Sequence, residues 1–224
     1  MEIIHRDDLH LGGFAGLTEH RLVMDPRPFG GHVEPGTWLG IGNFVYLADA
    51  RFNPHGETRL HSHREVDVLS LMVEGRIAHE GSLEHGQEVS AGQVQVQRAG
   101  GEGFSHNEIN PDDEKNRMIQ FWVLPEVPGA PAGYKLYTPE PGNLMRVYGG
   151  PEGQDDTYAS KTLIDVGTLG KGRDYKISGP YMVYLTTGSG LANGEKVTEG
   201  DLIRGQDLAF EASQDTQMIA VHLS

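Results

Sequence analysis

The 224-residue sequence contains no cysteine, which excludes disulfides and thiolate chemistry. Any bound metal must then be held by nitrogen and oxygen ligands, and the composition suits a reducing cytoplasm, where we expect the protein to reside. Long hydrophobic runs are absent as well. The first residues lack the basic start and apolar stretch of a signal peptide, and no later run approaches the ~20 apolar residues of a membrane span. We therefore expect no membrane association.

Positive charge is scarce. Lysine and arginine number 18 against 32 aspartates and glutamates, so the formal net charge is -14 and the sequence pI is about 5.1. Such a surface repels phosphate backbones, and we expect no direct nucleic-acid partner. The patterns G-x-S-x-G, H-E-x-x-H and the phosphate loop are also absent. Their absence excludes the hydrolases and nucleotide-binding loops that they mark.

Glycine and proline are abundant instead, with 31 and 12 residues. Turn signals recur about every ten residues, which predicts an all-β chain of many short strands. The strand rhythm resumes after a proline-rich stretch at residues 125–141, so we predict two stacked antiparallel β-barrels of the jelly-roll, or double-stranded β-helix, type. The predicted domains are a wrapping segment at 1–37, a barrel at 38–137 that holds the functional site, and a second barrel at 138–224.

Two pairs of candidate ligands lie at strand spacing. His61 and His63 form one pair, and His106 and Glu108 form the other. Residues two apart in a strand point to the same face, so all four can face the barrel interior and bind Fe(II), Mn, Ni, Cu or Zn. The alternative is that each pair is solvated polar surface. Because His222 is the only histidine after residue 106, we expect no metal in the second barrel.

A family resemblance is carried by two motifs in this region. The first contains His61, His63, Asp67 and Gly75, and the second contains Gly92, Gly100, His106 and Asn110. From about Trp38 to Tyr137 the sequence resembles the pirin family of the cupin superfamily, which implies a bicupin fold. Asp67 stands where many cupins keep a ligand, but the pirin pattern implies the ligand set His61, His63, His106 and Glu108. The usual pirin pattern H-P-H-R-G-F-E is not kept at Ser62, Glu65, Val66 and Asp67.

The resemblance also implies a function. Pirin-like proteins are associated with quercetin 2,3-dioxygenase activity, in which a flavonol ring opens with release of carbon monoxide. We expect one divalent metal, Fe(II) first and Zn, Ni, Mn or Cu as alternatives, and a flavonol or related enol or catechol with O2 as substrates. Glu108 would remain on the metal or act as general base. The alternative is a metal-binding regulatory protein that recognises a protein partner without catalysis, and isomerisation is a third interpretation.

Overall fold

The structure is a computed structural model that describes residues 1–224. It confirms an all-β chain, because one short 3₁₀ turn at Arg6–Asp8 is its only helical element. No helix has the length and apolar character that crossing a membrane would require.

The early strands are β1 (Glu2–His5), β2 (Leu11–Phe14), β3 (Leu17–Met24), β4 (Phe44–Phe52), β5 (His61–His63), β6 (Asp67–Glu74), β7 (Arg76–Gly81), β8 (Glu88–Ser90), β9 (Val94–Arg98), β10 (Phe104–Ile109), β11 (Arg117–Val123) and β12 (Gly133–Tyr137). The later strands are β13 (Leu144–Gly150), β14 (Ser160–Leu169), β15 (Asp174–Leu185), β16 (Ser189–Ala192), β17 (Glu195–Thr198), β18 (Asp201–Ala212) and β19 (Thr216–Leu223).

The chain forms two compact units. The first unit is Leu9–Thr138, and the second unit combines Met1–Asp8 with Pro139–Ser224. The three-part division predicted from the sequence, at 1–37, 38–137 and 138–224, stays a prediction.

The first unit contains two antiparallel sheets. One has seven strands in the order β12-β9-β6-β11-β4-β3-β2, and the other has four in the order β5-β10-β7-β8. Strand β6 is buried from Asp67 to Met72, as its nearly continuous run of apolar and small residues predicted. Its Met72 joins Phe52, Ile77 and Met118 in a hydrophobic cluster, so burial of apolar surface holds this unit together.

The aromatic and β-branched residues from Trp38 to Ala50 predict a strand over that whole segment, but the observed strand begins later. Strand β4 starts at Phe44, because the preceding segment makes a tight turn in which the Phe44 amide donates to the Ile41 carbonyl. Gly42 has φ +56°, a conformation that glycine adopts without steric cost. The glycines of this segment therefore end the extended run that its aromatic and β-branched residues favour.

The second unit contains one eight-stranded sheet. Its main path is β13-β14-β19-β15-β18-β16-β17, and β1 pairs with β18 beside it. A core on one face includes Tyr181, Val183, Ile203 and Phe210. In neither unit do hydrogen bonds join the end strands of a sheet, so the predicted pair of closed, stacked barrels stays a prediction.

Candidate metal centre

Strands β5 and β10 bring three of the predicted ligands together. The two strands pair antiparallel, with His61 opposite His106 and His63 opposite Phe104. Gly100 and Gly103 have positive φ values of 53° and 76°, which lets the chain turn back before β10. The period of two residues along β5 then places both of its imidazoles on the face where His106 lies.

The three imidazoles converge on one point. Their ligand atoms all lie within 4.8 Å of one another, and the Nε2 atoms of His61 and His106 are 3.0 Å apart. His61 Nδ1–H donates to the Arg59 carbonyl at 2.8 Å, which leaves a lone pair on His61 Nε2. His63 Nε2 is buried and has no hydrogen-bond partner. Buried polar atoms are rarely left unpaired, and a divalent metal would engage this nitrogen, so the cluster fits a metal ion.

The electrostatics of the cluster suit a metal as well. Burial, followed by the charge of His61, lowers the pKa of His63 to about 4. Burial, followed by the neighbouring His61, His63 and His79, lowers the pKa of His106 to about 2. Both rings are therefore neutral near pH 7, which is the form that coordinates a metal.

Glu108 lies outside the group of three imidazoles. It follows His106 by two residues on β10 and is fully buried. Its Oε1 accepts from Ser70 Oγ at 3.0 Å and Gln95 Nε2 at 2.7 Å, and its Oε2 accepts from Gln120 Nε2 at 3.0 Å. Burial outweighs these hydrogen bonds and raises the pKa of Glu108 to about 7. Its role as a fourth ligand stays a prediction.

Two aromatic residues orient the amides around Glu108. Trp122 Nε1–H donates to Gln120 Oε1 at 3.1 Å, and the Tyr134 hydroxyl donates to Gln95 Oε1 at 3.3 Å. Both glutamine oxygens are thereby occupied, so both NH2 groups point at the carboxylate. Trp122 and Tyr134 therefore hold the two glutamine amides in the orientation that donates to Glu108.

Three aromatic side chains form a wall beside the imidazoles. Trp122 meets His63 edge-on with ring centroids 5.3 Å apart. Phe29 stacks on Trp122 at 5.5 Å, and Tyr46 lies 4.6 Å from Trp122. Phe29 and Trp122 are only partly buried. This aromatic wall is an apolar surface next to the candidate metal centre.

The sequence interpretation missed a group of buried polar residues. From its place on a hairpin, the sequence predicts that His79 is not a ligand and that it projects away from the barrel interior. It does lie outside the group of three imidazoles, but the outward orientation is wrong, because His79 is fully buried and its ring centroid is 5.6 Å from that of His106. The alternation of valine and glutamine in β9 predicted a half-buried strand. Instead Gln95 and Gln97 are fully buried. Asp67 is also buried and lies outside the imidazole group.

Comparisons with known proteins agree with this description. Residues 39–123 match the Pirin family model. A Pseudomonas aeruginosa protein named "Putative quercetin 2,3-dioxygenase" is 27% identical over 235 residues, covering 90% of this chain and 100% of that protein. The Escherichia coli quercetin 2,3-dioxygenase is 33% identical over 76 residues, covering 34% of this chain and 32% of that protein.

A solved structure shares the whole fold. The Escherichia coli pirin YhhW in complex with nickel(II) superimposes with a TM-score of 0.84 at 19% identity, covering 99% of this chain and 98% of that one. At this identity the likeness concerns the fold alone. The family-model match over residues 39–123 and the two histidine motifs show that this part of the chain is similar to the Pirin family, and the whole chain has the fold of a bacterial pirin.

Proposed function

We propose that the protein is a metal-dependent dioxygenase of the quercetin 2,3-dioxygenase type, acting on a flavonol or a related enol or catechol. The observation that carries the proposal is the convergence of three buried or partly buried imidazoles around the unpaired His63 Nε2, beside an aromatic wall. The names of the relatives support the same chemistry. Residues 38–137 would form the domain that holds the site, and residues 138–224 a metal-free domain.

A metal held by three imidazoles, with no thiolate as a fourth ligand, keeps coordination positions open for substrate, as catalytic centres require. A divalent metal held there, with Fe(II) as our first choice, would lower the pKa of a substrate hydroxyl and allow reaction with O2. His61, His63 and His106 would hold and orient that ion. The absence of cysteine means that no thiolate ligand competes with them.

The aromatic wall would bind and orient the substrate ring. The partly exposed Trp122 contacts His63 edge-on, and Phe29 stacks on Trp122, so a planar ring bound against them would lie beside the metal position. An offset or edge-on aromatic contact contributes about 0.5–1.5 kcal/mol beyond the area it buries. The wall also keeps water from one side of the centre, which strengthens electrostatic interactions there.

Glu108 would accept the proton of the substrate hydroxyl. A pKa of about 7 leaves the carboxyl partly ionised near neutral pH, where a general base is most effective. Ser70, Gln95 and Gln120 stabilise the ionised form by donating to it. To join the ligand set instead, Glu108 would have to break some of these hydrogen bonds.

Substitution of Glu108 tests the proposal. The protein is loaded with Fe(II) under anaerobic conditions, and oxygen consumption and flavonol loss are followed after oxygen is admitted. We expect wild-type turnover, and a loss of about 10²- to 10⁴-fold in Glu108→Gln, because the general base is removed. Metal analysis of the same samples should show that Glu108→Gln retains metal.

Asp67→Asn is the control for the ligand set, and we expect it to leave metal content nearly intact. If Asp67→Asn loses the metal and Glu108→Gln does not, the ligand set is the generic cupin one. If the loaded wild type consumes no oxygen with any flavonol, enol or catechol, the enzyme proposal fails and the metal-binding regulatory interpretation takes its place.

A further inference from the structure

A chain of buried polar side chains runs behind His106. The structure places Gln97 Nε2 3.3 Å from His106 Nδ1, and Gln97 Oε1 2.9 Å from His79 Nε2. His79 Nδ1 in turn lies 3.3 Å from the Glu84 carbonyl oxygen. His79, Gln97 and His106 are all fully buried, so solvent cannot replace any partner in this chain.

The direction of these hydrogen bonds follows from the carbonyl at the far end. A carbonyl oxygen only accepts, so His79 Nδ1 must carry a proton to donate to Glu84. His79 is fully buried, has no carboxylate among its hydrogen-bond partners, and lies beside the proposed cation, so its ring is neutral. A neutral ring with a proton on Nδ1 has a lone pair on Nε2, and this atom must accept.

The orientation of the Gln97 amide and the tautomer of His106 follow from the same requirement that each donor faces an acceptor. Because His79 Nε2 accepts, the NH2 group of Gln97 must face it, and the amide oxygen of Gln97 must face His106. The nitrogen and oxygen of a glutamine amide are assigned from the hydrogen-bond network. This network requires the two atoms of Gln97 to be exchanged relative to the structure, so that the oxygen lies on the His106 side. His106 Nδ1 therefore carries the proton that it donates to Gln97. The lone pair of His106 is then on Nε2, the atom 3.0 Å from His61 Nε2.

We infer that Gln97, held by His79, is a positioning residue that fixes His106 in the tautomer whose Nε2 can bind a metal. The inference rests on the metal centre of the proposed function. With Gln97 Nε2 facing His106, as the structure places it, His106 Nδ1 would accept, Nε2 would carry the proton, and the ring could not serve as a ligand. Outer hydrogen-bond partners of this kind commonly set the orientation and basicity of histidine ligands.

Two substitutions of Gln97 separate positioning from packing. Gln97→Leu keeps the approximate volume and removes the acceptor, so Zn(II) affinity should fall by roughly 10- to 100-fold. Gln97→Glu keeps an acceptor for His106 Nδ1–H, so Zn(II) affinity should match or exceed that of the wild type. A residue that only fills space gives the reverse order, because leucine packs well in a buried site and a buried carboxylate does not. Gln93→Leu is the matched control, since Gln93 bonds to Ser90 and Thr138 instead, and its affinity should not change.

Nitrogen-15 NMR of histidine-labelled protein with Zn(II) provides a second readout, which reports the tautomer of each histidine directly. We expect His79 as the neutral Nδ1–H tautomer in the wild type and as the Nε2–H tautomer in Gln97→Glu, whose carboxylate only accepts. An Nε2–H tautomer of His79 in the zinc-loaded wild type would overturn the inference. So would equal Zn(II) affinity of Gln97→Leu and wild type. A wild type that binds no Zn(II) contradicts the metal centre itself, which distinguishes the two failures.

Discussion

Glu108 is surrounded by hydrogen-bond donors, yet burial dominates its protonation. Its pKa rises on folding from the ordinary value of 4.5 to about 7. A pKa raised by folding contributes stability that is fully present below about pH 4.5 and is lost as the pH rises through about 7. At 1.36 kcal/mol per pKa unit the loss is roughly 3 kcal/mol, and water entering the site would reduce it.

The corresponding prediction concerns the pH dependence of folding. We expect metal-free wild-type protein to lose up to roughly 3 kcal/mol more unfolding free energy between pH 5 and pH 8 than Glu108→Gln loses, because the variant has no titrating group at this position. Urea unfolding of both proteins in the presence of a chelator measures the difference. Other titrating groups contribute equally to both proteins. Parallel pH profiles would show that Glu108 titrates as an exposed carboxyl does.

At the scale of strands, the position of His106 depends on the close approach of β7 and β10. Gly81 pairs with His106, and a Cβ atom on Gly81 would lie 2.2 Å from the Ser105 carbonyl oxygen and 2.9 Å from His106 Cα. Both contacts are with backbone atoms, which cannot move aside alone. A side chain at residue 81 would therefore push the two strands apart and displace the imidazole.

We expect Gly81→Ala to lower the unfolding free energy by about 1–3 kcal/mol, as overpacking typically does, and to weaken metal binding. Thermal unfolding and Zn(II) titration measure the two effects. Gly12→Ala is the control, because its Cβ would come no closer than 3.8 Å to any neighbour. Unchanged metal affinity in Gly81→Ala would mean that the site tolerates a wider separation of these strands.

Local patterns in the sequence predict the strands better than they predict which face is buried. Strand β6 and the placement of His61, His63 and His106 were predicted from hydrophobic runs and the two-residue period. The inward orientation of Gln95 and Gln97 was not, because the alternation in β9 fits either face. The choice is made by polar partners such as His79 and Glu108, which lie on other strands and have no signature in the local sequence.

At the scale of the whole molecule, the one histidine after residue 106 has partners of its own in the second unit. In the second unit His222 Nε2 lies 3.0 Å from Asp165 Oδ2, and the same carboxylate accepts from Arg146 and from the Tyr175 hydroxyl. These hydrogen bonds contribute to lowering the pKa of Asp165 to about 2 against the effect of burial. His222 is thus engaged in an ion-pair network of its own unit.

We therefore expect one metal ion per chain. His222→Ala should leave the metal content unchanged. His61→Ala and His106→Ala should each weaken metal affinity by roughly 10-fold or more, because removing even a residue that only hydrogen-bonds to a metal ligand costs about that much. Elemental analysis after dialysis against a fixed free-metal concentration gives the stoichiometry. Full metal content in both His61→Ala and His106→Ala would place the site elsewhere.

The pairing of β1 with β18 has a consequence for biosynthesis. Glu2 pairs with Arg204, so β1 cannot pair with β18 until the ribosome has made about two hundred further residues. At 5–20 residues per second the delay is roughly 10–40 s, whereas every strand partner of the first unit has been translated before residue 139. The unit that carries the imidazoles can therefore complete its sheets on the nascent chain. The second unit closes only after its last strands have left the ribosome.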